Sequence, residues 1–263
     1  MIMKKNTGKS LIYKSIITVI VMVISVTVFL SCNGKSKGLI PKWRVANEMV
    51  DAYNKHEWET VASKGDSAKS LDFDFMSEKN SAYTLCYAEG LAATGRDREA
   101  IKMLNIYLDR FPDNYYIAQS LGNVYYGKNN KAAHRYYELT FKINPTYARP
   151  YIKNAELYEL EKDYENAIDN YLNAVSLFAY NDAYAEIVEF CGKILDMPIE
   201  LEYNCERICM ILKAYGYKKL GSDSMYNTIK NKMWKEEVAT LDSVCNLGWK
   251  KYVEIKTASE TAK

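Results

Sequence analysis

Residues 81–114 read SAYTLCYAEGLAATGRDREAIKMLNIYLDRFPDN, residues 115–145 read YYIAQSLGNVYYGKNNKAAHRYYELTFKINP, and residues 146–181 read TYARPYIKNAELYELEKDYENAIDNYLNAVSLFAYN. Small residues recur in register: Ala88, Gly122 and Ala155 are 34 and 33 apart, and Ala100, Ala133 and Ala167 are 33 and 34 apart. One residue is therefore missing between Gly122 and Ala133, which predicts a shortened turn there. A period of this length marks stacked units, none of which can bury its apolar face alone.

Within each unit two apolar stripes at helical spacing flank a turn. Tyr87, Ala88 and Leu91 precede Gly95-Arg96-Asp97, and Ala100, Leu104 and Tyr107 follow it. Leu121, Gly122 and Tyr125 precede Gly127–Asn130, and Ala133, Tyr137 and Phe141 follow. Ala155 and Tyr158 precede Lys162-Asp163, and Ala167, Tyr171 and Ala174 follow. Pro112 and Pro145 close the first two units, because proline cannot continue a helix; Ala179 stands where the third would have its proline. Only a short side chain lets two helix backbones approach closely while large aromatics fill the flanking grooves.

These small residues, the closing prolines and the segment Asp163-Tyr164-Glu165-Asn166-Ala167-Ile168 resemble the tetratricopeptide-repeat family. Thr140, where a small apolar residue is usual, and Tyr107 depart from its pattern. The resemblance implies an all-α fold, a right-handed α-solenoid of tetratricopeptide-like helix pairs, with three repeats over 81–181. It also implies a protein or peptide partner on the concave side, lined by the first helices.

Outside the repeats, Trp43, Ala46, Val50 and Tyr53, then Trp58, Val61 and Ala62, predict a degenerate helical pair, so that 42–80 reads as that pair plus a loop from Leu71 to Lys79. Residues 182–256 read as further helices that cap the stack: one from Ala183 to Leu195, one through Leu201, Cys205, Ile208, Leu212 and Tyr215 ending at Gly221. A last helix is capped by Ser222-Asp223-Ser224, with Met225, Ile229, Trp234, Val238, Leu241 and Cys245 on its buried face. Residues 257–263 are expected to fray.

Lys4, Lys5, Lys9 and Lys14 precede an uncharged run from Ser15 to Leu30 that ends in Phe29-Leu30-Ser31-Cys32. This resembles a bacterial lipoprotein signal peptide over residues 1–31, with Phe29 in place of the commoner leucine. The resemblance implies acylation of Cys32, a polar tether over 32–41, and a membrane-anchored chain facing the periplasm. The alternative is an uncleaved anchor helix, for which the 16-residue uncharged run falls a little short of the ~20 that a span needs but could extend through Leu11, Ile12 and Tyr13.

The chain has 35 basic and 33 acidic residues; removing the four lysines before Cys32 leaves 31 against 33, near −2. Such a balance offers no basic field for nucleic acid. Beyond Cys32 lie Cys86, Cys191, Cys205, Cys209 and Cys245, an odd number without metal-binding spacing, which predicts buried free thiols.

Catalytic and cofactor patterns are missing. The two histidines, His56 and His134, are far apart in sequence, and His134 is expected to point outward. No phosphate-cradling loop or nucleophile elbow occurs. Asp72 and Asp74 read as an ordinary acidic loop, although an enzyme would have to gather them with His56. Glu156, Glu159, Glu161 and Glu165 read as solvated helix surface. The expectation is a non-enzymatic scaffold without cofactor or metal.

The expected partner-binding groove comprises Tyr116, Gln119, Asn123 and Tyr126 from one first helix, and Arg149, Ile152, Lys153 and Glu156 from the next. Aromatic surface mixed with donors and charge suits an extended peptide. Asn123, Arg149 and Lys153 partly resemble the clamp that some family members use on a terminal carboxylate, but Gln119 stands where a basic residue is wanted. The alternative function is a glycan- or small-ligand-binding lipoprotein that uses tyrosine faces.

Overall fold

The structure is a computed structural model that describes residues 41–261. The leader, most of the tether and Cys32 lie outside the described residues. Thirteen α-helices and no strand occur among the described residues: α1 Pro41–Asn54, α2 Trp58–Ser70, α3 Ser81–Ala93, α4 Asp97–Arg110, α5 Tyr115–Tyr125, α6 Asn130–Ile143, α7 Ala148–Glu161, α8 Tyr164–Tyr180, α9 Tyr184–Leu195, α10 Tyr203–Lys219, α11 Asp223–Lys230, α12 Lys235–Leu247 and α13 Trp249–Thr261. None is long and apolar enough to cross a membrane. The fold is all-α, built of tetratricopeptide-like helix pairs. The contacts divide it into two compact units, at Met103 and Leu104 within α4.

In the first unit, α1 packs on α2 and both pack on α3. The loop between α2 and α3 is anchored by aromatic contacts, with Phe73 edge-on to Trp43 at 4.9 Å and tilted against Phe75 at 4.8 Å. Both phenylalanines are buried. At the α2–α3 crossing, a Cβ on Gly65 would lie 2.0 Å from the Tyr87 ring, so glycine is the residue that lets this tyrosine lie flat on the helix. The Tyr87 hydroxyl donates to Asp66, which also pairs with Arg96 at 2.6 Å. That guanidinium holds the Asp66 carboxyl below the usual carboxylate range.

In the second unit the helices stack in chain order, α5 on α6, α7 on α8 and α9 on α10, with α6 on α7 and α8 on α9 joining the pairs. The turn residues act through their side chains. Asn114 accepts from Ile117 N at 3.2 Å, Asn129 from Ala132 N at 3.1 Å and Asp163 from Asn166 N at 3.2 Å, so each satisfies one of the helix's otherwise unpaired first amides. The second helices α4, α6 and α8 each begin three residues before their marker alanine. The missing residue is instead lost from the end of a first helix. α5 stops at Tyr125, because Tyr126 adopts φ −53° and ψ 125°, and the segment 126–129 is no shorter than its counterparts. The expected short turn is thus a short helix.

Ala155, Ala167, Ala174, Tyr137 and Tyr171 are all fully buried. Burying one large apolar side chain contributes roughly 1.5–3 kcal/mol. Thr140, which departs from the family pattern, returns its hydroxyl to Tyr136 O at 2.9 Å and so leaves no unpaired donor in the core.

The C-terminal region differs from the expected single last helix. The chain breaks after Lys230 and restarts at Lys235, with Trp234 N donating to Glu237 Oε2 at 2.8 Å. The break turns Trp234 outward, 71% exposed, and Met225 is 45% exposed, so neither is core. Tyr226, Leu241, Val244 and Trp249 take the buried positions. Helical geometry continues through α13 to Thr261, over most of the stretch expected to fray, although its residues from 254 onward are exposed.

Candidate interaction face

Two first helices, α5 and α7, carry seven of the eight residues singled out from sequence, Tyr126 following directly on the end of α5, and the structure sorts the eight into two clusters and one core contact. Tyr116, Gln119 and Arg149 gather about Tyr147. The rings of Tyr115 and Tyr116 lie 4.1 Å apart and that of Tyr147 5.3 and 5.7 Å from them. Arg149 and Gln119 both reach the Tyr147 hydroxyl, whose pKa is raised by burial and partly offset by the positive Arg149. Tyr116 is pushed up to about 12, chiefly by its hydrogen bond to Tyr115. Tyr116 is 48% exposed whereas Gln119 is 6% exposed, so Gln119 supports the cluster from beneath. Ile152 packs on the hydrophobic core.

The second cluster holds Asn123, Tyr126, Lys153 and Glu156. Tyr137 OH donates to Asn123 Oδ1 at 2.9 Å, which leaves the Asn123 amide NH2 for other acceptors. Lys153 Nζ lies 2.7 Å from Glu156 Oε2. Tyr126 is half-buried, and burial followed by Glu156 and Glu159 raises its pKa.

Sequence reasoning missed Glu159, Lys193 and Tyr171, which complete this cluster. Glu159 Oε1 stands 3.0 Å from Lys193 Nζ but outside hydrogen-bond alignment, so the pair is electrostatic rather than directional. Lys193 also donates to the Tyr171 hydroxyl, and burial above all, then Glu159, pushes the Tyr171 pKa well up. The signal lay in the period: Tyr126, Glu159 and Lys193 are 33 and 34 residues apart, hence one repeat position in three successive units, on α7 and α9 and just past the end of α5. An aromatic hydroxyl just beyond α5, a carboxylate on α7 and an ammonium on α9 thus form a ladder across three successive units.

His134 does not point outward as expected. Its side chain is 13% exposed, its Nδ1 is 2.6 Å from Asn154 Oδ1, its Nε2 is 3.0 Å from Glu161 Oε2, and its ring stacks on Tyr158 at 4.0 Å. Asn154 Nδ2 donates onward to Asn170 Oδ1 at 3.1 Å, and Asn170 Nδ2 to Asn166 O at 2.8 Å. That last backbone carbonyl fixes the direction of the whole chain, so Nδ1 is the donor toward Asn154. The histidine is a polar link between α6, α7 and α8. Glu161 is correspondingly not simple solvated surface.

In the first unit, His56 lies 5.4 Å from the Trp58 ring and Asp74 Oδ1 accepts from Met76 N at 3.0 Å. No hydrogen bond joins His56 to Asp72 or Asp74 among the described residues. No group of three histidine, cysteine or acidic side chains among them is placed to hold a metal.

No family model matches the chain, and no curated protein does. Among solved structures, it is similar to a crystal structure of MamA protein, at 14% identity over 69% of this chain and 94% of that one, with a TM-score of 0.47. A second MamA crystal structure shares 16% identity over 68% and 97%, with a TM-score of 0.45. A tetratricopeptide repeat protein from Parabacteroides merdae ATCC 43184 shares 14% over 78% and 86%, with a TM-score of 0.42.

Proposed function

We propose that this chain is a non-enzymatic interaction scaffold that holds an extended protein segment along α5, α7 and α9, and that an acylated Cys32 tethers it to a bacterial envelope membrane, facing the periplasm. The ladder Tyr126–Glu159–Lys193 carries the reading. The three groups belong to successive units of the stack, so an extended segment laid across them meets one rung after another. Asn123, whose Oδ1 is taken by Tyr137 so that its NH2 is left to donate, and the Lys153–Glu156 pair supply backbone and side-chain partners beside it. Helices hold these groups in place before binding, so little receptor ordering opposes association.

The test is affinity capture from solubilised envelope membranes, with the full chain as bait, run beside a glycan array. Protein partners captured by the natural chain and lost with Asn123→Ala plus Lys153→Ala support the scaffold. Saccharide binding without any protein partner overturns it in favour of the glycan reading. The tether is tested by metabolic labelling with palmitate. Label should vanish in Cys32→Ser, and label that persists there overturns the anchor.

A further inference from the structure

We propose that the chain carries a second docking site, a groove between α8 and α10 that takes a basic amphipathic protein segment. The groove encloses about 550 Å³ and is lined only by second helices and by the connection between α9 and α10. It therefore shares no residue with the ladder on the first helices. Its floor is aliphatic: Ile168 belongs to the buried core, and Leu172, Ile199, Leu201 and Ile208 pack on that core while remaining partly exposed. Such a floor releases water favourably when another apolar surface covers it.

The rim decides the occupant. Glu165, Asp169, Glu200 and Glu202 surround the floor, all four are exposed, and no lysine or arginine lines the groove. None of the four has an ion pair among the described residues, although the chain as a whole is nearly balanced in charge. An adjoining recess shares Glu165, Ile199 and Glu200 and adds Glu161, Asp163 and a single Lys162, so the acidic field extends along the groove rather than ending at its mouth. The carboxylates do not converge as ligands, since no metal-holding group occurs among the described residues. They act as a field around an apolar strip, and the complement is a segment with aliphatic side chains along one edge and lysine or arginine on its flanks.

Asp169, one turn from Leu172 on α8, and Glu200, next to Ile199 on the α9–α10 connection, put charge on two of the elements that line the groove. Charge on more than one lining element orients the segment, while the floor supplies contact area. The same argument excludes an acidic peptide and an anionic lipid surface, which the rim repels.

The probe is a fluorescent twelve-residue peptide of alternating leucine and lysine, with a leucine/glutamate peptide as its counterpart, titrated by anisotropy against the full chain in detergent. The lysine peptide should bind and the glutamate peptide should not. Binding should weaken with added salt, as it does for exposed charges. Asp169→Lys plus Glu200→Lys should lower affinity by about tenfold or more, with helical circular dichroism unchanged. Ile199→Ser, in the connection between helices, should weaken binding without changing its salt dependence. A photoreactive leucine in the peptide should cross-link within 165–172 and 199–208. Equal binding by the charge-reversed variant, equal binding of the two peptides, cross-links elsewhere, or no binding up to about 1 mM would each overturn the proposal.

Discussion

The second and third repeats solve one packing problem with two different pairs. In the second, Gly122 faces Tyr137, and an added Cβ would sit 2.6 Å from that ring. In the third, Ala155 already carries its Cβ, fully buried, and Tyr171 leans instead on Phe190, with ring centroids 5.6 Å apart. Their polar tips diverge further. The Tyr137 hydroxyl meets the neutral Asn123, whereas that of Tyr171 meets Lys193 beside Glu159. The two repeats therefore keep a buried tyrosine at the seam and vary both the small residue or ring beside it and the group at its hydroxyl, which is where one unit becomes chemically distinct from the next.

The heaviest test of this likeness removes the rings. Tyr137→Ala and Tyr171→Ala should each cost about 3–5 kcal/mol, because both leave a cavity in a packed seam. Urea melts that match the natural chain for either variant would break the comparison at its base. The next largest effect separates the repeats. Gly122→Ala should cost about 1–3 kcal/mol by overpacking, and Ala155→Gly about 1 kcal/mol by the opposite defect, helix entropy. Adding Tyr137→Leu to Gly122→Ala should recover part of the loss, whereas Tyr137→Phe should not, since the ring remains; thermal midpoints of the double variants decide this.

Alkaline pH probes the polar tips. Burial raises the pKa of both Tyr137 and Tyr171, so the unfolded chain releases those protons first. The stability they contribute is fully present below the ordinary tyrosine value of about 10 and is lost as pH rises through the folded values. Midpoints should begin to fall above about pH 8.5, where the unfolded chain releases the thiol protons that burial holds, and fall further above about pH 10, less steeply there in Tyr171→Phe. The smallest effect concerns the ladder itself. Lys193 is 38% exposed, so Lys193→Met should change stability by no more than about 1 kcal/mol while abolishing partner capture if the ladder binds.

Much of the architecture was legible because close helix crossings demand short side chains at fixed intervals. Ala88, Ala100, Ala133, Ala155 and Ala167 are all fully buried, and the turns at Gly95, Gly127 and Lys162 adopt positive φ. Helix ends were less legible. The early stop of α5 depends on Tyr126 leaving helical geometry, and the break at 231–234 depends on Glu237 reaching back to Trp234 N; neither alters the apolar rhythm. The candidate face was legible only one helix at a time. Helical spacing groups residues within an element, so Glu159 looked like ordinary surface until Lys193 from the following pair came beside it. His134 was misread for the same reason: its partners Asn154 and Glu161 come from another helix, and no local pattern announces them.

The second unit also buries free thiols. Cys191 and Cys209 are fully buried and neighbour each other across α9 and α10, with Cys205 one turn from Cys209 and pushed up to about 12 by burial. A protonated sulfur with no path to solvent reacts with an alkylating reagent only when the helices around it separate. Alkylation speed at Cys191 and Cys209, unlike the partly exposed Cys205, thus becomes a stopwatch on breathing of the α9–α10 pair, written into the chain without any added label. The same pair carries one rung of the ladder and one wall of the groove, so a partner that clamps it should slow the stopwatch.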